Sequence, residues 1–203
     1  MKALFVIDPI EKIDVYHDTT YVMMREAERR GLQVLACQVS DLTRIGTKTH
    51  ATATPVVVES GLTLGPQRTI EFDALDLVFM RKDPPFDIDY IFATYLLDGV
   101  DPSRTWVINR PEGLREANEK CFILDYPDLI PTTIVTMQPG EIRAFLSENE
   151  GRCIIKPLDG MGGKGIFLLR EDDQNLSSER GGQTHHRYRW GTGRRRTSCS
   201  RNG

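Results

Sequence analysis

The chain has 203 residues, 39% hydrophobic and 27% charged, with a formal net charge of −3. That length holds one full domain and part of a second with ample material for a core, which excludes a wholly disordered or fibrous chain. Residues 171–203 carry seven arginines against four acids, so residues 1–170 carry −6, the wrong sign for a general nucleic-acid surface.

The amino terminus, MKALFVIDPI, has a lysine followed by five apolar residues before Asp8. This is too short for a signal peptide or a membrane span, and cytoplasmic residence is the expectation. ALFVI reads as a buried strand. Residues 18–31, DTTYVMMREAERRG, read as a helix, with Asp18 or Thr19 able to cap its start and Gly31 to end it. LQVLACQV follows as a strand. THATATPVVVES reads as an extra strand or hairpin arm, because threonine, alanine and valine dominate and Pro55 discourages a helix. DLVFMR, residues 76–81, is another strand, FDIDYIFATYLLDG a helix closed by Gly99, and TWVIN a strand. Such alternation predicts an α/β domain with right-handed crossovers and a mainly parallel open sheet.

PEGLREANEKCF reads as one helix with Pro111 in its first turn. The two prolines and β-branched residues of DYPDLIPTTIVT mark a boundary. A second domain opens with the helix GEIRAFLSENEG and two strands, ending at Lys156 and Arg170, around a glycine-rich link. Past Arg170 only four apolar residues (Leu176, Tyr188, Trp190, Cys199) occur in thirty-three, too few for a core. That stretch is expected to be disordered or to have left its proper reading frame near residue 178. A basic tail for nucleic acid or acidic lipid, with His185 and His186 as metal ligands, is the alternative. The expected division is 1–120, 121–176 and 177–203. Cys37, Cys121, Cys153 and Cys199 lack C-x-x-C spacing, so neither a zinc site nor a disulfide framework is indicated.

The chemistry concentrates in residues 154–167, IIKPLDGMGGKGIF. Gly160, Gly162 and Gly165 satisfy G-x-G-x-x-G, but strands lie on both sides, whereas a dinucleotide fingerprint opens a helix. A Walker loop needs serine or threonine after its lysine, and here Gly165 follows Lys164. A kinase needs an H-R-D loop and a D-F-G triplet, and neither occurs. Two readings remain. One is a hairpin with a glycine-rich turn; the other is a phosphate-binding flap, with Lys156 as cation and Gly160, Gly162, Gly163 and Gly165 presenting backbone N–H groups. Lys120, alone, reads as a helix-surface residue. Arg81 and Lys82, in MRKDPPFD, sit where a parallel strand ends, the edge at which open α/β sheets bind ligands. Arg81 has the planar fork for a carboxylate; the competing reading is a structural turn fixed by Pro84 and Pro85. Asp8, at the end of the first strand, has the same two readings.

In order and spacing, VIDPI, EAERRG, MRKDPPFD, VIN with PEGLREANEK, PT and KPLDGMGGKGIF resemble the prokaryotic glutathione synthetase family of ATP-grasp ligases, over residues 1 to about 176. The resemblance implies an open parallel-sheet domain preceding the beginning of an ATP-grasp domain. It implies that Lys120 and Lys156 contact nucleotide phosphates, that DGMGGKG is the flap over ATP, and that Arg81 and Lys82 face the peptide-substrate cleft. The implied reaction joins γ-glutamylcysteine to glycine with ATP and magnesium, without nucleic acid or membrane as partners, and leaves a homo-oligomer open. The family's magnesium ligands are expected in a carboxyl-terminal part whose likeness this sequence lacks. As written, the chain is therefore expected to be an inactive ligase fragment. A non-catalytic nucleotide- or substrate-binding protein and another ATP-grasp carboxylate–amine ligase are the alternatives.

Overall fold

The computed structural model describes residues 1–59, 61–83, 85–159, 163, 165–173 and the strand at 188–191. Two compact units divide after Glu116. The second therefore begins at Ala117, four residues ahead of the expected boundary, and includes Lys120.

In the first unit, β1 (Lys2–Val6) pairs in parallel with both β2 (Gln33–Cys37) and the later strand Leu77–Met80. A strand flanked in this way is covered on both faces, which is why its residues 3–6 are all apolar and fully buried. The odd residues Ala3, Phe5 and Ile7 join Met24 of α1 (Thr19–Arg29) in one core, and the even residues Leu4 and Val6 enter another. α1 starts where expected: the Asp18 carboxylate accepts the Thr20 N–H at 2.6 Å. It ends into Gly31, whose φ of +78° is the left-handed conformation that favours glycine.

Between β2 and the next parallel strand the chain builds an antiparallel wing. β3 (Leu42–Ile45) turns into β4 (Lys48–Val57), which also pairs with β2, β5 (Thr63–Leu64) and β6 (Arg68–Glu71). The expected mainly parallel sheet is thus half of an eight-stranded one. The polar sequence of β3 and β6 hid them, since residues at a wing need bury only one face. β7 (Leu77–Met80) returns beside β1, α2 (Ile88–Leu97) covers the second core, and β8 (Trp106–Ile108) closes the parallel order β2-β1-β7-β8.

The helix expected over 111–122 is two helices. α3 spans Pro111–Glu116 and α4 spans Glu119–Phe122. Asn118 separates them because its side-chain oxygen accepts the N–H groups of Lys120 and Cys121 at 3.0 and 3.2 Å, restarting the helix as an N-cap. In the second unit β9 (Thr133–Thr136), α5 (Pro139–Glu148), β10 (Arg152–Pro157) and β11 (Phe167–Arg170) surround a small core of Phe145, Leu146, Cys153 and Leu169. β12 (Tyr188–Gly191) lies inside the stretch expected to be disordered, yet forms antiparallel pairs with both β9 and β10. Low apolar content did not prevent this, because a strand inserted between two others is held by backbone hydrogen bonds. Residues 174–187 and 192–203, with His185 and His186, lie outside the described residues. No described helix is long and apolar enough to cross a membrane.

Candidate functional site

Strand alternation sets the direction of Lys156. Cys153 and Ile155 of β10 face the core under α5, so Ile154 and Lys156 occupy the opposite face of the sheet. Leu168 shares that face and is exposed. The result is a partly apolar surface with a cation at the end of one strand.

Lys120 comes to the same strand end. It is only 8% exposed, and its Nζ donates to the Leu158 carbonyl at 3.3 Å and pairs with Glu119 Oε1 at 3.3 Å. The helix-surface reading of Lys120 is therefore overturned. Four-residue α4 turns this side chain inward, and the Asn118 cap fixes where that helix begins. A lysine taken out of water is costly unless oxygens receive its N–H groups, and a carbonyl two residues past Lys156 does so.

Of the glycines, Gly163 and Gly165 have φ of +78° and +71°, outside the range comfortable for other residues. A Cβ on Gly165 would stand 3.1 Å from Pro157 Cγ, so the link packs closely against the residue following Lys156. Gly160 and Gly162 lie outside the described residues.

In the first unit the end of β7 lies beside the end of β1. The Arg81 N–H donates to the Val6 carbonyl at 2.8 Å. Lys82 Nζ pairs with Asp8 Oδ1 at 3.1 Å and donates to the Asp83 carbonyl, while Asp8 Oδ2 accepts the Asp83 N–H at 3.0 Å. Arg81 turns the other way: its Nη2 donates to Thr19 Oγ1 at 2.8 Å and its Nε to Thr20 Oγ1 at 3.3 Å. Sequence reasoning missed these two threonines, although their place at the capped start of α1 was legible. Burial raises the Tyr90 hydroxyl, and the Arg81 charge opposes that shift.

The second unit also has an open cavity of about 1410 Å³ between Leu129–Pro131 and Glu150–Arg152. Lys120, Lys156, Gly163 and Gly165 do not line it. Among the described residues no three His, Cys, Asp or Glu side chains converge as a metal site.

Comparison with known proteins gives a consistent result. Residues 1–115 match the amino-terminal domain of prokaryotic glutathione synthetase and residues 119–188 its ATP-grasp domain. The glutathione synthetase of Vibrio vulnificus (strain YJ016) is 42% identical over 182 residues, covering 87% of this chain and 57% of the relative. The chain thus spans a little over half the length of the curated relatives it matches. Among solved structures, a RiPP-associated ATP-grasp ligase from Chryseobacterium gregarium, in complex with ADP and a leader and core peptide, aligns at a TM-score of 0.56 and 16% identity. That alignment covers 94% of this chain and 62% of the ligase. The ATP-grasp ligase PsnB, complexed with a phosphomimetic variant of its minimal precursor, Mg and ADP, aligns at 0.53 and 17% identity, over 93% of this chain and 63% of PsnB. Likeness at such identities speaks to fold alone, and it agrees with a second, smaller sheet-containing unit following an α/β unit. Both domain matches fall in order along one chain, and on them this protein belongs to the prokaryotic glutathione synthetase family.

Proposed function

We propose that this protein carries the nucleotide-phosphate contacts and part of the peptide-substrate surface of an ATP-dependent ligase that joins γ-glutamylcysteine to glycine. The observation that carries the reading is the pair of lysines at one strand end, with buried Lys120 held on the Leu158 carbonyl and Lys156 two residues before it. Glycines in left-handed conformation follow. Cations beside glycine N–H groups that can approach closely form the environment a polyphosphate needs.

A carboxylate resists amines because its leaving group would be oxide. In the proposed reaction its oxygen takes the γ-phosphoryl group of ATP, ADP leaves, and a mixed anhydride forms. The glycine amine then attacks the acyl carbon, the bond from that carbon to the phosphate oxygen breaks, and the amine gives up a proton as phosphate departs. Lys120 and Lys156 hold the transferring charge, and the glycine flap, Gly160, Gly162, Gly163 and Gly165, covers it from water. On the substrate side the candidate is the strand end that carries Arg81 and Lys82, with Arg81 as the contact and Lys82 as its support. Free Cys37, Cys121 and Cys153 accord with a reducing cytoplasm, where both ATP and a thiol peptide are available.

Calorimetric titration of the 203-residue chain with ATP tests the reading. Lys156→Met is expected to weaken binding about tenfold or more, since a charge-assisted contact contributes roughly 1.5–3 kcal/mol, while leaving the thermal transition in place. Unchanged affinity would return Lys156 to an ordinary hairpin.

A further inference from the structure

Asp8, Arg81 and Lys82 meet where the strand connections diverge, at the adjoining ends of β1 and β7. From β1 the chain runs to a helix on one face of the sheet and from β7 to a helix on the other. Crevices of this kind take ligands in open α/β sheets. The three charges there are not equivalent. Lys82, with its side chain 19% exposed, is satisfied internally by Asp8 and by the Asp83 carbonyl. Asp8 is engaged at both oxygens. Among the described residues, the half-buried Arg81 side chain donates to the neutral hydroxyls of Thr19 and Thr20, through Nη2 and Nε. No carboxylate pairs with it among the described residues. It also stands by the amino-terminal end of α1, whose helix dipole has the same sign as its own charge. The nearest helix-cap carboxylate, Asp18, is turned to the Thr20 N–H. A guanidinium held through Nε and Nη2, with no hydrogen bond from Nη1 and no counter-charge among the described residues, keeps donors to offer an anion as two parallel hydrogen bonds.

We propose that Arg81 alone contacts substrate here, holding a carboxylate with its remaining donors, and that Asp8 and Lys82 are positioning residues that lock the strand end carrying it. The identity of the carboxylate rests on the ligase reading. A carboxylate with both oxygens engaged cannot accept a phosphoryl group, so of the two carboxylates of γ-glutamylcysteine the one proposed here is the unreactive α-carboxylate of its γ-glutamyl group; the glycine carboxylate, also unreactive, would not distinguish the two probes below.

The test uses the 203-residue chain labelled with ¹⁵N and two probes: γ-glutamylcysteine, and 4-aminobutyrylcysteine, which lacks only that α-carboxylate. In the unmodified chain the first is expected to move the Arg81 Nε signal and the Thr19 and Thr20 amides. The second should bind about tenfold weaker or less tightly still, the loss of one charged pair, without moving Arg81. Arg81→Gln should abolish the discrimination. Lys82→Gln should keep it, while shifting the Arg81 Nε signal before any probe is added, which a lysine unconnected to Arg81 would not do. Equal response to both probes in the unmodified chain would overturn the proposal, as would discrimination surviving in Arg81→Gln. The two-probe comparison needs no variant, so a poorly folding substitution cannot obscure it. Its result is independent of the ATP titration at Lys156, so failure of either reading is seen separately.

Discussion

Burial sets the order in which the cysteines react. Cys37 and Cys153 are 5% and 1% exposed, whereas Cys121 is half-buried. Desolvation pushes the Cys153 thiol from an ordinary 9.0 up to about 11 and raises Cys37 further still, with Asp41 adding to the latter. The thiolate is the reactive form, so among these three, iodoacetamide at pH 8 should modify Cys121 first, as read by peptide mass spectrometry. Prior labelling of Cys153 in the folded chain would contradict this. The sign of the pH effect follows: between about pH 9 and 11 an unfolded chain loses the Cys153 proton while the folded chain keeps it. Stability therefore falls as pH rises through that window. At this scale the sequence was a good guide to side-chain identity but a poor one to partners. Arg81 and Lys82 are adjacent and equally charged in the sequence. Only the alternation at a strand end sends one to Asp8 and the other to two threonines.

Caps and turns decided which elements were legible. α1 was readable because Asp18, the apolar face around Met24 and Gly31 all specify the same helix. The stretch 111–122 misled because its helical propensity is continuous, and the break at Asn118 arises from one side chain competing for backbone N–H groups. That break matters to the site, since α4 is only four residues long and Lys120 sits within it. Asn118→Ala is expected to cost about 1 kcal/mol of stability and to weaken ATP binding through misplacement of Lys120, with Asn118→Ser restoring both. A urea midpoint and an ATP titration on the same samples check it. Full ATP affinity in a destabilised Asn118→Ala chain would separate the cap from the site.

The two units differ in how much apolar surface they enclose. The first holds two cores through β1, with Phe5, Leu4, Leu35 and Val78 fully buried; the second has four buried apolar side chains among its described residues. At roughly 25 cal/mol per Å², only the former has the means to offset its own ordering cost. A fragment of residues 1–116 should therefore unfold cooperatively in urea with dispersed amide resonances, and a non-cooperative transition would refute this. The parallel half of its sheet was legible from alternating strand and helix patterns. The antiparallel wing was not, because β3 and β6 lack the continuous apolar runs of buried strands. β12 escaped notice for a related reason: its place is fixed by backbone pairing with strands some thirty and fifty residues earlier. That placement bears on synthesis at the ribosome. β10 and β11 can zip together as they emerge, but among the described residues β9 has no strand partner until Tyr188–Gly191 arrives to separate it from β10. β9 must therefore wait, unpaired, while the intervening chain is made, leaving nascent protein exposed to chaperones and proteases over that interval.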